Sequence, residues 1–194
     1  DFFGDAALRG LRLLVYQHSA VGREVLPAIL RALGADVRVA GWSDTFVPID
    51  TENIDAERLA TLQRWADEVR VSEGPVDVLV STDGDSDRPL VVDVEPGTGA
   101  VRFLPGDILG MVTAAYLGAD AVVVPVSCND AVDSGPLASI LEPKTRIGSP
   151  YVIAGMDAAR ARGKRVVCGW EPNGGFLTAT PIHRQGHTLP ALPT

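Results

Sequence analysis

An apolar run, 76–80 (VDVLV), leads directly into an acidic segment, 81–88 (STDGDSDR), near the middle of the 194-residue chain. The run is rich in β-branched residues and follows Gly74-Pro75, which is typical of a buried strand. Apolar runs of this kind alternate with segments of helical period along the chain. This alternation predicts an α/β fold in which mixed sheets are sandwiched between helices.

The residues before this strand predict the order strand, helix, strand, helix. We interpret 11–16 and 35–40 as the two strands. The first predicted helix ends at Gly34, and its apolar face consists of Val25, Leu26, Ile29, Leu30 and Leu33. Asp55 can cap the second helix, whose apolar stripe consists of Leu59, Leu62, Ala66 and Val69. The acidic segment therefore follows the third strand of a first unit.

The residues after the acidic segment predict the end of this first unit and a complete second one. A hairpin turn at 96–99 (PGTG) joins strands at 90–95 and 100–103, so we place the first unit at 1–104. The second unit, 105–194, is predicted to contain helices at 106–117 and 149–162, a broken helical segment up to Leu141, strands at 121–126, 166–168 and 176–180, and a turn at 172–175. Its Pro-rich end, 189–194, is predicted to have no partner element.

The composition is that of a globular protein, with 46% hydrophobic and 22% charged residues. The net charge is −8 and no stripe of Lys or Arg is present, so nucleic acid and anionic membranes are not expected partners. Cys128 and Cys168 show no metal-binding spacing, no apolar run approaches the roughly 18 residues of a membrane span, and the N-terminal residues do not resemble an export signal. We therefore expect a reduced, cytoplasmic protein.

The acidic segment carries the strongest chemical signal in the chain. Asp83, Asp85 and Asp87 stand at every second position, and carboxylates at this density repel one another unless a cation lies among them. Oxygen ligands favour a hard divalent ion, with Mg²⁺ the first choice. Gly84 permits a tight backbone curl, and Arg88 offers a planar cation suited to a phosphate. The segment therefore predicts a Mg²⁺ site that adjoins a phosphate.

Three other interpretations of this segment stay open. It can be a solvated turn whose Asp side chains accept only backbone hydrogen bonds. A calcium-binding EF-hand loop fits poorly, because counting from Asp83 the sixth and twelfth positions are Arg88 and Val94 where Gly and Glu are required. An Asp-x-Asp phosphatase of the haloacid-dehalogenase type would use Asp83 as nucleophile and Asp85 as acid, although its motif usually lies near the start of the domain.

The segment Asp83-Gly84-Asp85-Ser86-Asp87-Arg88 resembles the DGDGDR metal loop of the α-D-phosphohexomutases, the phosphomannomutase and phosphoglucomutase family. Further resemblances lie in the same order as in the family. Phe3-Gly4 and 11–15 look like the start of the second domain, and 117–120 (LGAD) looks like part of the third. Residues 144–148 (KTRIG) are similar to the RTKVG segment, and 169–175 (GWEPNGG) are similar to the sugar loop GGEESGH.

This resemblance implies roles for residues in each of these segments. Asp83, Asp85 and Asp87 would hold Mg²⁺, and Arg88 would support the reacting phosphate. Glu171 and Asn173, with Gly174 on the same turn, would bind the sugar hydroxyls. Arg146 stands where the family has a candidate proton-transfer Lys, and Lys144 lies two residues before it. Arg88, Arg146 and Lys144 are therefore the candidate catalytic residues, and the identity of the general base stays open.

The remainder of the family's machinery is not recognisable in this sequence. The family takes a phosphorylated serine from its first domain and a phosphate-binding loop from its fourth. We therefore expect a segment that comprises domains 2 and 3 and lacks the last helix of domain 3. The complete enzyme would move phosphate between the 1- and 6-positions of a mannose or glucose phosphate through a hexose bisphosphate, and domains 1 and 4 would be its partners.

Two functions of other classes remain as alternatives to the mutase. The phosphatase described above would release inorganic phosphate without further domains. A non-catalytic metal-binding module would bind Mg²⁺ but no sugar phosphate. The histidines offer little support for a further catalytic role, because His18, His183 and His187 are expected to be structural or surface residues. Under the mutase interpretation, the segment alone is expected to be inactive.

Overall fold

The chain forms two compact units, Phe3–Pro105 and the residues from Gly106 onward. They are seen in a computed structural model that describes residues 2–184 and 186–192. No helix in these described ranges is both long enough and apolar enough to cross a bilayer. Each unit is built around its own sheet.

The first unit contains two helices and a five-stranded sheet. Its elements are β1 (Arg12–His18), α1 (Val25–Ala32), β2 (Asp36–Trp42), α2 (Ala56–Glu73), β3 (Val78–Thr82), β4 (Pro89–Val94) and β5 (Val101–Leu104). The strands lie in the order β2-β1-β3-β4-β5. β1 is parallel to β2 and β3, whereas β4 is antiparallel to both β3 and β5. The sheet is therefore mixed.

Successive side chains of a strand point to opposite sides of the sheet, so the apolar strands give it two apolar faces. One helix covers each face. On one face, Leu14 and Leu79 are buried in a cluster with Leu62 of α2. On the other face, Leu13 and Val15 are buried in a cluster against Leu26 of α1. The result is a three-layer α/β/α arrangement in which β1 and β3 lie at the centre.

The second unit has a smaller sheet. Its elements are α3 (Gly106–Leu117), β6 (Ala121–Val123), α4 (Ala131–Ser134), a 3₁₀ turn (Ala138–Ile140), α5 (Ser149–Ala161), β7 (Val167–Trp170), β8 (Phe176–Thr178), β9 (Ile182–Arg184) and β10 (His187–Leu189). The sheet order is β6-β7-β8, with β6 parallel and β8 antiparallel to β7. Ala114 of α3 packs with Val122 on one face, and Met156 of α5 packs with Val123 on the other.

The predicted α/β fold, with mixed sheets between helices, is confirmed. The predicted helix at 106–117 has the same bounds as α3. The strand predicted at 121–126 is shorter, because the ladder ends at Val123 and it is followed by an isolated bridge between Pro125 and Thr145. Proline has no N–H for a continuous ladder.

The Pro-rich end differs from the prediction. It was expected to have no partner, but Leu192 forms an antiparallel bridge with Thr178 of β8, with N–O distances of 3.0 Å in both directions. The pairing arises because β8 is the edge strand of its sheet, and edge strands present unpaired backbone groups. The β9–β10 hairpin was also not predicted.

The N-terminal cap of α2 provides a test of the first unit's stability. Asp55 accepts a hydrogen bond from the N–H of Arg58 at 2.7 Å. We expect Asp55→Ala to lower the free energy of unfolding by about 1 kcal/mol, since the N–H loses its acceptor. Urea denaturation would measure the change. Asp55→Ser keeps a capping oxygen and should retain most of the stability, so an equal loss in both variants would contradict the capping role.

Candidate functional site

The acidic segment connects β3 to β4 at one edge of the first unit's sheet. β1 and β3 are parallel, so the turn after β1 lies at the same edge, and Val21 N donates to Gly84 O at 2.9 Å. We call residues 83–88 the metal loop and residues 19–22 the β1 turn. The carboxyl edge of parallel strands is the usual location of ligand sites in α/β sheets.

Asp83 is the internal anchor of the metal loop. It is only 6% exposed, and its Oδ1 accepts the N–H groups of Asp87 and Arg88 at 3.2 Å each. Its Oδ2 lies 3.2 Å from Nε of Arg88. Each carboxylate oxygen carries two lone pairs, so Asp83 retains capacity to bind a cation beside these bonds.

Asp85 and Asp87 complete an acidic cluster with Asp83. Both are exposed, and one carboxylate oxygen from each of the three residues lies within 4.8 Å of the others. An octahedral Mg²⁺ site with bonds of about 2.1 Å separates neighbouring ligands by about 3.0 Å and opposite ones by about 4.2 Å. A small inward movement of the exposed side chains would therefore bring the three oxygens to one ion, and the donor set fits Mg²⁺.

Arg88 lies beside this cluster and is the positive charge closest to it in the sequence. Its Nε is 3.2 Å from Asp83 and 3.5 Å from Asp87, and its side chain is 41% exposed. One guanidinium therefore faces three carboxylates, which leaves the loop with net negative charge. Such a balance attracts a divalent cation, and the planar guanidinium can also bind a phosphate oxygen.

His18, at the end of β1, supports the base of the metal loop. It is fully buried, and its Nε2 lies 2.9 Å from the carbonyl oxygen of Thr82, the residue before Asp83. Burial lowers the pKa of His18 and outweighs the hydrogen bond to Thr82, which acts in the opposite direction. The ring is therefore neutral at pH 7 and donates from Nε2. Its burial and this hydrogen bond agree with the expectation that His18 is a structural or surface residue and place it in the interior.

In the second unit, the predicted sugar-binding residues lie on the turn between β7 and β8. This turn, 171–175, is closed by hydrogen bonds from Glu171 N to Gly175 O at 3.1 Å and from Gly174 N to Glu171 O at 3.0 Å. Asn173 Oδ1 accepts the N–H of Gly175 at 2.9 Å. Gly174 has a φ of +92°, a conformation that favours glycine. The turn therefore has a defined backbone that presents Glu171 and Asn173 together.

Close packing of α3 against Gly174 and Trp170 holds the turn 171–175 in place. Trp170 is fully buried and stacks on Phe176, with ring centroids 6.1 Å apart. A Cβ at Gly106, the first residue of α3, would lie 2.3 Å from Gly174 N, and one at Gly110 would lie 2.4 Å from the Trp170 ring. Glycine is required at both places because α3 approaches the turn and its anchor so closely.

Comparison with known proteins identifies the family. A family model for the alpha/beta/alpha domain II of phosphoglucomutase and phosphomannomutase matches residues 3–97. A phosphomannomutase of Sinorhizobium fredii is 42% identical over 189 residues, which are 97% of this chain. The chain belongs to the α-D-phosphohexomutase family. This phosphohexomutase chain spans 37% of the length of that relative.

Solved structures agree with the fold. A phosphoglucomutase/phosphomannomutase family protein of Burkholderia thailandensis has a TM-score of 0.62 at 19% identity, over 87% of this chain and 35% of its own. The N-acetylphosphoglucosamine mutase of Aspergillus fumigatus, solved in complex with glucose 1,6-bisphosphate, has a TM-score of 0.54 at 17% identity, over 89% of this chain and 34% of its own. At these identities the likeness supports the fold alone.

Two candidate catalytic residues of the phosphohexomutase segment lie between the 3₁₀ turn and α5. Lys144 pairs with Asp133 at 2.6 Å and lies 3.6 Å from Asp130. The hydrogen bond to Asp133 raises the pKa of Lys144, so this amine is protonated and does not accept a proton as it stands. Arg146 is exposed and lies 5.7 Å from the ring centroid of Tyr151. Lys144 is a cation already paired with carboxylates and Arg146 is an exposed cation, and neither is a base here.

The geometry of the metal loop bears on the phosphatase alternative as well. A nucleophilic Asp needs an oxygen open to the substrate phosphorus. Asp83 is buried and its two oxygens are engaged with the loop backbone and Arg88, whereas Asp85 and Asp87 are the exposed members of the cluster. The arrangement favours an anchoring and metal-binding role for Asp83 over a nucleophilic one.

Neutral His18 leads to a prediction about pH. Its folded-state pKa lies below its ordinary value, which is about 6.5 in an unfolded chain, so the unfolded chain binds the proton first as the pH falls. His18 therefore contributes stability that is present above about pH 6.5 and is lost as the pH falls through that value toward the folded-state pKa. Urea unfolding of His18→Gln should show a smaller loss of stability between about pH 7.5 and 5.

The exposed His187 provides the matched control for this measurement. His187→Gln should retain the wild-type dependence of the unfolding free energy on pH. Equal dependence in wild type and His18→Gln would show that His18 is not the group responsible.

Proposed function

We propose that this chain supplies the metal-binding and sugar-binding parts of a phosphohexomutase that transfers phosphate between the 1- and 6-positions of a hexose phosphate. The observation that carries the proposal is the convergence of Asp83, Asp85 and Asp87 at one sheet edge, with Arg88 beside them. Membership of the family supports it.

The metal loop would neutralise the reacting phosphate. Asp83, Asp85 and Asp87 would hold Mg²⁺, which when bound offsets negative charge on a transferring phosphoryl group. Asp83 is fixed by the backbone of the loop, so it sets the position of the ion, while the exposed Asp85 and Asp87 close on it. Arg88 would donate hydrogen bonds to an oxygen of the same phosphate.

The turn 171–175 would orient the sugar. The Glu171 carboxylate can accept hydrogen bonds, and the Asn173 amide can both accept and donate them, which suits neighbouring hydroxyl groups of a hexose. Gly174 contributes backbone that a side chain would otherwise cover. Lys144 and Arg146, as cations of the same unit, would bind a phosphate of the substrate, and proton transfer is assigned to neither.

The complete reaction needs groups from outside this segment. We propose that a phosphorylated serine of a first domain donates the phosphate, that a hexose bisphosphate forms and reorients, and that a fourth domain binds its other phosphate. The chain spans 37% of a phosphomannomutase relative, which leaves room for such domains. Mannose phosphates are the first substrates to test, glucose phosphates the second, and the expected location is the cytoplasm.

The metal loop gives the first test of this function. In the complete protein, Asp85→Asn should lower kcat for isomerisation of mannose 1-phosphate about a hundredfold to a thousandfold, because the ion that offsets transition-state charge loses a ligand. A coupled assay with Mg²⁺ and a hexose bisphosphate activator measures this rate. The 194-residue chain alone should show no turnover.

Asp67→Asn is the matched control, because Asp67 lies on α2 and pairs with Arg70, outside the metal loop. It should leave kcat unchanged. Release of inorganic phosphate by the chain alone would instead support the phosphatase, and Mg²⁺ binding by a complete protein that binds no sugar phosphate would support the non-catalytic module.

A second test separates sugar binding from metal binding. Glu171→Gln keeps the shape of the side chain and removes its charge. A lost charged hydrogen bond should lower kcat/KM for the hexose phosphate about ten- to a hundredfold. Isothermal titration with Mn²⁺ should give the same affinity as wild type, since Glu171 lies in the other unit. A change in Mn²⁺ affinity alone, with kcat/KM unaltered, would contradict the assignment to the sugar.

A further inference from the structure

Ser86 occupies a strained position in the metal loop. Its φ is +67°, in the left-handed region, where a side chain other than that of Gly, Asn or Asp is uncommon. The family pattern to which the loop is similar has Gly at this position. A serine is retained here at a conformational cost, so the contacts of its hydroxyl group are informative.

The hydroxyl of Ser86 connects the metal loop to the β1 turn. Ser86 Oγ accepts the N–H of Gly22 at 2.9 Å and lies 3.0 Å from Thr82 Oγ1, within hydrogen-bond distance. The fit is close, because a Cβ at Gly22 would lie 2.9 Å from Ser86 Oγ and 3.0 Å from Ser86 Cβ. The bond joins residues 64 positions apart in the sequence.

A second hydrogen bond joins the same two segments, from Val21 N to Gly84 O at 2.9 Å. The two attachment points, Gly84 and Ser86, stand immediately before and after Asp85. Asp85 is exposed and lies between two other carboxylates, so charge repulsion favours a more open loop when no cation is present. The two bonds oppose that opening on either side of Asp85.

We infer that Ser86 is a positioning residue for the divalent cation, because its hydroxyl group holds Asp85 and Asp87 close to Asp83 before the ion binds. This inference depends on the proposed role of the three carboxylates. A loop that is already ordered loses less conformational entropy on binding, and its affinity for the ion is correspondingly higher. A chain with Gly at position 86 would avoid the backbone strain but would lack the hydrogen bond to Gly22.

The test measures Mn²⁺ binding to the 194-residue chain, using the electron paramagnetic resonance signal of free Mn²⁺. Ser86→Ala keeps the Cβ and removes the hydroxyl group, and it should weaken Mn²⁺ binding about three- to tenfold, the effect of one net hydrogen bond. Ser72→Ala, at an exposed position of α2, also loses a hydroxyl group, one that donates to the carbonyl oxygen of Glu68, and it should bind Mn²⁺ like wild type. Urea unfolding of the same chains confirms that all are folded during the titration.

A double-mutant cycle separates positioning from general stability. Gly22→Ala places a methyl group against Ser86 and should weaken Mn²⁺ binding in the wild-type background. In the Ser86→Gly background the obstructing atoms are gone, so the same Gly22→Ala change should have no further effect. A purely structural role of Ser86 would lower stability without this coupling in Mn²⁺ affinity.

The outcomes distinguish the inference from the proposal on which it depends. If wild type and Ser86→Ala bind Mn²⁺ with equal affinity, or if Gly22→Ala has the same effect in both backgrounds, the positioning role is overturned and the metal site stands. If no chain binds Mn²⁺, wild type included, the metal site is overturned and the role of Ser86 with it. Weaker binding in Ser86→Ala together with the coupling supports the inference.

Discussion

Parallel pairing of β1 with β3 is the interaction on which the first unit depends. It brings Leu14 beside Leu79, and at the ends of the two strands it brings the β1 turn beside the metal loop. His18 and Thr82 meet there, as do Gly22 and Ser86. Without this pairing, the acidic segment would be a turn between two strands that has only the contacts within its own loop.

The three carboxylates of the metal loop repel one another, and they differ in how deeply they are buried. Asp83 is taken out of solvent and given two backbone N–H donors and a guanidinium, whereas Asp85 and Asp87 stay hydrated. A buried carboxylate is tolerated only with such partners. Asp85 and Asp87 stay exposed, so their charges cost little desolvation energy and can still interact with a cation. In the proposed metal site, this arrangement would give one rigid ligand and two adjustable ones.

The order of helices and strands could be predicted from the sequence because it rests on local periodicity. The hairpin turns at 96–99 and 172–175 were predicted as well, because Pro, Asn and Gly specify turns locally. The bridge from Leu192 to Thr178 could not be predicted, since it depends on which strand is left at the sheet edge. The hydrogen bond between Ser86 and Gly22 depends likewise on which strands are neighbours, and the ion pair between Lys144 and Asp133 depends on the tertiary contact between α4 and the segment after the 3₁₀ turn. The roles of the site residues stay predictions.

Because α3 packs closely against the base of the turn 171–175, the residues at the base and those on the turn tolerate substitution differently. Gly106 and Gly110 cannot gain even a methyl group without displacing Gly174 or Trp170. Glu171 and Asn173, by contrast, belong to a turn that is fixed by its own hydrogen bonds, one of which Asn173 Oδ1 accepts from the N–H of Gly175. Substitution of Glu171 leaves these hydrogen bonds in place, because only its backbone takes part in them, whereas substitution of Asn173 removes one of them. Under the proposed sugar-binding role of the turn, this difference would let the scaffold acquire new sugar preferences through substitution of Glu171, which makes that position suitable for directed evolution.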